Sequence, residues 1–285
     1  MIRTISVPLV HDRLWLDSDV VYAQAAGWCG YSTANLRMAV IHHDSPDDTA
    51  PLPCLLWVCG GSWLGVDPAA FLPELIPLAR RGYVLASAEY QNSSAAVFPA
   101  QVQQLKEAIR YLRAHAGRYR IDPERIGIIG ESSGGHRAAM VGATNGRAEF
   151  EAGGNLDQSS AVGAVCAWYT PVDLGSLTEL KDPVDRFLGC DTAACPEKAA
   201  AADPRTYLTP ESPPFLLLHG TEDTLVPPSC SEKLYEALQA RGVPADYYRI
   251  QGADHADYPF FQPQVMDLVA GFFDRYLKPE PTGGL

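Results

Sequence analysis

Positive charge is scarce in this 285-residue sequence: 22 Lys and Arg stand against 34 Asp and Glu, a formal net charge of −12. Phosphate binding needs a basic surface, so nucleic acid is not an expected partner. The same charge favours solubility and mildly disfavours anionic substrates. No apolar stretch approaches the length of a membrane span. Met1–Val10 has no basic flank followed by an apolar run, so no secretory leader is read there and a cytoplasmic location is expected. There is also no CxxC pair: Cys29, Cys54, Cys59, Cys166, Cys190, Cys195 and Cys230 are odd in number and scattered. Cys54, Cys59 and Cys166 lie in or beside apolar runs and read as core thiols. Cys190 and Cys195 are close enough to bridge, but a reducing compartment favours free thiols. Metal-ligand spacing is missing too, and neither a metal nor a cofactor is expected. His42 and His43 are adjacent, cannot readily share one ion, and read as a solvated loop. Gly146–Ser160 lacks the regular acidic spacing of a calcium loop and reads as a surface loop.

What is present is an ordinary globular composition, 47% hydrophobic and 20% charged, in a chain long enough for one large α/β domain or two small ones. Continuous apolar runs at Cys54–Cys59, Tyr83–Tyr90, Arg125–Gly130, Ala161–Tyr169, Phe215–Gly220 and Ala245–Ile250 predict strands covered on both faces, as in a parallel sheet. Helical patterns fall between them. Pro68–Gly82 ends in basic residues and a glycine. Pro99–Ala116 carries an apolar stripe of Val102, Leu105, Ile109, Leu112 and Ala116. Further helices are predicted at Ser229–Gly242 and Gln264–Leu277. The alternation implies a doubly wound sheet with helices on both faces. Two segments break the rhythm. Residues 1–50 read as an irregular arm and an antiparallel hairpin. Residues 173–214, rich in Pro, Ala and charge, read as a small cap insertion, and such insertions usually cover a site. The tail Lys278–Leu285 reads as frayed. The whole chain reads as a single domain.

The stretch GIIGESSGGHRAAM holds two adjacent serines, Ser132 and Ser133. A nucleophile on a tight strand-to-helix turn needs small residues two places before and two places after it, because side chains there would strike the neighbouring strand and helix. Ser132 has Gly130 and Gly134 in those places. Ser133 has Glu131 and Gly135, and Glu131 is too large. Ser132 is therefore the candidate nucleophile, and the backbone N–H of Ser133 a candidate oxyanion donor.

A serine needs a base, and the base an orienting acid. This turn type sets the chain order serine, acid, histidine. Of the downstream histidines, His219 ends a strand in a run that packs, whereas His255 lies in a loop between the last strand and the last helix, where open sheets place their chemistry. His255 is the predicted base. LLLHGTEDTLVP offers Glu222 and Asp223 as the acid. It resembles an HGxxD turn whose last residue is the triad acid, which selects Asp223. Asp254, beside His255, is set aside because adjacent loop residues seldom face each other. After the first buried strand comes CGGSWLG, whose backbone N–H groups complete the expected oxyanion hole.

Together CGGSW, FPAQVQQLKEAIRYLRAH, IDPERIGIIGESSGGH, PPFLLLHGTEDTLVP and GADH resemble the α/β-hydrolase fold serine esterases. They are most similar to bacterial acetyl xylan and feruloyl esterases and to hormone-sensitive-lipase-like esterases. The resemblance runs from about residue 19 to the last helix. It implies that Gly61 and Ser62, with Ser133, supply the oxyanion N–H groups. Where the family has HGGGW, Cys59 replaces the first histidine, which normally braces the loop, and Ser62 replaces the third glycine. Trp63 matches the family tryptophan and either packs the loop or walls the substrate; it is carried as a substrate-binding candidate. His136 matches a family histidine and reads as helix packing. The expected activity is hydrolysis of short-chain acyl esters through an acyl-enzyme, with acetyl or feruloyl groups on plant carbohydrates as the implied substrates. The implied partner is a small-molecule or oligosaccharide ester. Alternatives are a prolyl-oligopeptidase-like peptidase, an aryl formamidase, and a non-catalytic binding protein on the hydrolase fold.

Overall fold

The structure is a computed structural model, and it describes residues 1–9, 12–27, 30–45, 48–65 and 67–279. Cys29 and residues 280–285 of the expected frayed tail lie outside the described residues. Strands β1 (Arg13–Ala26), β2 (Thr33–Asp44), β3 (Leu52–Val58), β4 (Val84–Ala88), β5 (Ile121–Glu131), β6 (Val165–Trp168), β7 (Phe215–Gly220) and β8 (Ala245–Ile250) form one sheet. Their order is β1-β2-β4-β3-β5-β6-β7-β8. The first two are the expected hairpin and pair antiparallel; from β4 to β8 every pairing is parallel. This is the predicted doubly wound α/β sheet. The runs β3, β4, β6 and β7 are continuous because both of their faces are covered. By contrast β8 is an edge strand, and its outer residues Tyr248 and Arg249 are exposed.

Helices α1 (Ile76–Arg80), α2 (Ala100–Ala114), α3 (Ala116–Tyr119), α4 (Ser133–Ala143), α5 (Lys181–Leu188), α6 (Pro196–Ala201), α7 (Ser229–Ala240) and α8 (Pro263–Leu277) complete the chain. Leu56 of β3 shares a core with Val102 and Leu105 of α2, Ala138 of α4 and Leu234 of α7. Its neighbours Leu55 and Trp57 point the other way, into a core with Leu78 of α1 and Phe273 of α8. Helices therefore cover both faces.

Some local expectations need correction. The helix expected over 68–82 is a 3₁₀ turn, Leu72–Leu75, followed by the short α1. Pro73 and Pro77 lack the N–H groups that a longer helix would need. His42 and His43 do not lie in a solvated loop but end β2. His43 is buried, with Nδ1 2.8 Å from Asp12 Oδ1 and Nε2 2.9 Å from the Ala79 carbonyl. Cys190 and Cys195 are disulfide-bonded across the turn between α5 and α6, with Cα atoms 6.5 Å apart. The turn itself brings them together, whatever compartment was assumed. Residues 146–160 lie against α2: Glu151 accepts from Lys106 Nζ at 3.1 Å, from Arg110 and from Ser160.

The topology positions the chemistry. β5 lies centrally between β3 and β6, with Gly130 opposite Val58 on one side and Ala167 on the other. The carboxyl ends of β3, β5, β7 and β8 carry, in turn, the glycine-rich loop, Ser132, Asp223 and His255.

Candidate active site

Ser132 occupies the turn from β5 into α4 with φ 54° and ψ −127°, a conformation that non-glycine residues adopt at a cost. The chain is crowded there. A Cβ on Gly130 would lie 2.5 Å from the Gly134 carbonyl oxygen, and one on Gly134 would lie 2.1 Å from that of Val58. No side chain fits at either position, the requirement that separated Ser132 from Ser133 in the sequence. The Ser132 N–H donates to the Trp168 carbonyl at 3.0 Å, which ties the turn to β6.

The structure brings Ser132, His255 and Asp223 together. His255 Nε2 is 2.9 Å from Ser132 Oγ, and His255 Nδ1 is 2.8 Å from Asp223 Oδ2. The carboxylate only accepts, so Nδ1 carries the hydrogen and Nε2 is left to accept from the serine hydroxyl. Asp223 Oδ1 accepts the N–H groups of Leu225 at 3.0 Å and Val226 at 2.8 Å. Burial alone would raise the Asp223 pKa. Hydrogen bonds from His219, His255 and the Val226 N–H overcome that and hold the carboxyl well below the usual aspartate range. Glu222 is exposed. Asp254 is not a partner of the imidazole nitrogens; it accepts from the Thr224 N–H at 2.8 Å and from the N–H of His255 itself at 2.7 Å.

His219 is a functional neighbour that sequence reasoning assigned to packing alone. It is fully buried, and its Nε2 lies 2.9 Å from the Val226 carbonyl and 3.2 Å from Asp223 Oδ2. Both are acceptors, so Nε2 carries the hydrogen, and Nδ1 accepts from the Ser231 hydroxyl at 2.7 Å. The spacing from His219 to Asp223 in HGTED was the available signal. His219→Ala is expected to lower kcat by about 10- to 100-fold, the loss of one hydrogen bond to a charged group. KM should change little, as measured with p-nitrophenyl acetate. His219→Gln, which keeps a donor, should recover part of the rate; a structural role alone would show as lost thermal stability with kcat preserved.

The loop Cys59–Gly65 lacks the family histidine, yet its backbone is held from several sides. The Gly60 N–H donates to Glu131 Oε1, and the Cys59 carbonyl accepts from the Tyr90 hydroxyl at 2.6 Å. The Trp63 N–H donates to Ser133 Oγ at 3.2 Å, and the Trp63 carbonyl accepts from Ser93 Oγ at 2.7 Å. Arg137 is buried, donates to the Tyr90 hydroxyl at 3.0 Å and lies 4.2 Å from the centre of the Tyr90 ring. Burial raises the Glu131 pKa, opposed chiefly by the Gly60 N–H. Nothing in the sequence marked Glu131, Tyr90 or Arg137 as a brace, because each acts across long separations. Gly61 and Ser62 have φ values of 119° and 52°, and their N–H groups meet no acceptor among the described residues. Ser133 opens α4, where the helix supplies its N–H with no partner.

Trp63 needs correction as a substrate-binding candidate. It has no exposed surface, stacks on Phe187 of α5 at 5.4 Å and donates from Nε1 to His136 Nδ1 at 3.3 Å. It packs the loop onto the 173–214 segment. His136 is buried as well, and Nε2 bonds the Ala202 carbonyl at 2.6 Å. Burial pushes its pKa down to about 4. A cavity of about 950 Å³ between the 173–214 segment and α7 contains no triad residue. A second, of about 630 Å³, is walled by His255.

Comparison with known proteins bears on the family and the fold. The BD-FAE family signature matches residues 42–238. The Mycobacterium tuberculosis protein "Esterase LipQ" is 30% identical over 220 residues, 73% of this chain and 52% of its own length. A structure described as a "truncated form of carbohydrate esterase from gut microbiota" superposes with TM-score 0.81 at 27% identity, covering 92% of this chain and 95% of its own. The bifunctional GH43-CE protein of Bacteroides eggerthii gives TM-score 0.79 at 30% identity, over 92% of this chain and 38% of its own. The likeness establishes the α/β-hydrolase fold of the esterases. The chain spans about half the length of the curated relatives it matches. None of the described helices is long and apolar enough to cross a membrane.

Proposed function

The chain belongs to the BD-FAE family, and from that premise we propose that it is a serine carboxylesterase acting on short-chain acyl esters, such as acetyl or feruloyl groups on plant carbohydrates. The observation that carries the reading is the line of hydrogen bonds from Ser132 Oγ through His255 to Asp223, at 2.9 and 2.8 Å. In this reading His255 Nε2 takes the hydroxyl proton as Ser132 Oγ attacks the ester carbonyl. The N–H groups of Gly61, Ser62 and Ser133 donate hydrogen bonds to the developing oxyanion. The tetrahedral intermediate expels the alcohol, which receives the proton from His255. Water, activated by the same imidazole, then cleaves the acyl-enzyme. Asp223 holds the imidazole in the required tautomer throughout. Residues 173–214 act as a small cap: they hold the oxyanion loop through Phe187 and Trp63.

The test is a panel of p-nitrophenyl esters from acetate to decanoate, with acetylated xylan and methyl ferulate alongside. Turnover is expected to be fastest at about two to four acyl carbons, because the cap is short and a long chain finds little apolar surface to bury. Fastest turnover at decanoate would overturn the short-chain assignment.

A further inference from the structure

The cavity of about 630 Å³ beside the catalytic imidazole is walled by His255 and by the loop that follows it. We propose that it receives the alcohol half of the ester and ranks alcohols by charge, cationic over neutral over anionic. This rests on the serine-esterase reading given above.

Mechanism fixes which half of the ester belongs there. When Ser132 Oγ has bonded to the carbonyl carbon, the bond from that carbon to the alcohol oxygen breaks. The departing oxygen takes with it the electron pair of that bond and receives from His255 Nε2 the proton that came from Ser132. The leaving group must therefore lie against the imidazole. The water that cleaves the acyl-enzyme then gives a proton to the same nitrogen, so this side must also open to solvent. The cavity is lined by His255 itself, which supplies the imidazole, and Tyr258, which also lines it, is 85% exposed, so it opens to solvent.

Its lining sets the selection. Phe71 and Phe261 stack with centroids 4.6 Å apart, and together with Tyr258 they offer aromatic surface to a small organic group or a cation. Glu74, Asp254 and Asp257 add carboxylates, and among the described residues no lysine or arginine lines the cavity. Asp254 is pinned beside the imidazole by the Thr224 and His255 N–H groups, and Asp257 by the Tyr258 N–H at 2.7 Å. Glu74 is exposed. Carboxylates spread round one open cavity act together over the screening distance, about 10 Å at 0.1 M salt.

The experiment compares three acetate esters of similar size: acetylcholine, its uncharged isostere 3,3-dimethylbutyl acetate, and 4-acetoxybutanoate. At low salt kcat/KM should favour the cation over the neutral ester by about 5- to 10-fold, and the neutral ester over the anion by about as much. Both ratios should fall to about twofold in 1 M NaCl. Glu74→Gln should lower the cation-to-neutral ratio by about two- to threefold, and a ratio cancels any general loss of activity. Equal kcat/KM for the three esters at low salt, or ratios that ignore salt, would overturn this inference while leaving the esterase reading intact. If none of them is cleaved, nor p-nitrophenyl acetate, the esterase reading fails and takes this inference with it.

Discussion

Ser132→Ala is expected to lose at least about a thousandfold in kcat, while Ser133→Ala keeps activity within about tenfold. The two side chains are neighbours in sequence but serve different groups. Ser132 Oγ faces His255 Nε2 at 2.9 Å. Ser133 Oγ accepts from the Trp63 N–H at 3.2 Å and from Arg137 at 3.3 Å, so it steadies the Cys59–Gly65 loop. Its backbone N–H, the proposed oxyanion donor, survives the change to alanine. Kinetics with p-nitrophenyl acetate give the first readout. The second is mass spectrometry after reaction with a phosphonate ester, in which the adduct should sit on Ser132. Activity that persists in Ser132→Ala but disappears in Ser133→Ala would reverse the assignment.

Asp223→Asn is expected to lower kcat by about 10⁴-fold with the fold retained. An asparagine amide turned toward His255 Nδ1 presents a donor where a carboxylate accepted. It selects the tautomer with hydrogen on Nε2, which cannot take the serine proton. The same variant tests the electrostatics. The folded Asp223 carboxyl is held below its unfolded value. Its contribution to stability is therefore complete above the ordinary aspartate range, about pH 4, and drains away as pH falls through the lower folded value. Urea midpoints should fall more steeply from pH 7 toward acid in the parent protein than in Asp223→Asn. Equal acid sensitivity in the two proteins would mean that His219, His255 and the Val226 N–H do not stabilise the ionised carboxyl.

Much of this is legible in the sequence. The buried strands announced themselves as continuous apolar runs because a parallel sheet is covered on both faces. The elbow was legible because its glycines answer to local crowding: the clash at Gly134 involves Val58 on the adjoining strand, but the need for a small residue falls at a fixed offset from the nucleophile. The candidate base was legible from chain order and loop position, and the candidate acid from the resemblance of LLLHGTEDTLVP to an HGxxD turn. The braces of the oxyanion loop were not. Glu131 and Tyr90 meet Cys59–Gly65, and Arg137 backs Tyr90, only because β3, β4 and β5 lie side by side, and no spacing within the sequence encodes that meeting. Trp63 was legible as an aromatic residue on the loop, but whether it faced substrate or core depended on Phe187, far along the chain.

The sequence by itself determined the alternation of strands and helices, and it carried the proposals of Ser132 over Ser133 as nucleophile and of His255 as its base. Those features follow from periodicity, side-chain size and order along the chain, which are local or one-dimensional properties. Only the tertiary structure decided that His219 shares the Asp223 carboxylate, that Cys190 and Cys195 pair, that Trp63 is buried, and that an acidic aromatic cavity opens beside His255. The last two depend on which distant segments the sheet and its helices bring within a few ångströms; the first two are closed by the local path of short turns, only four and five residues apart, which no periodicity or residue size specifies.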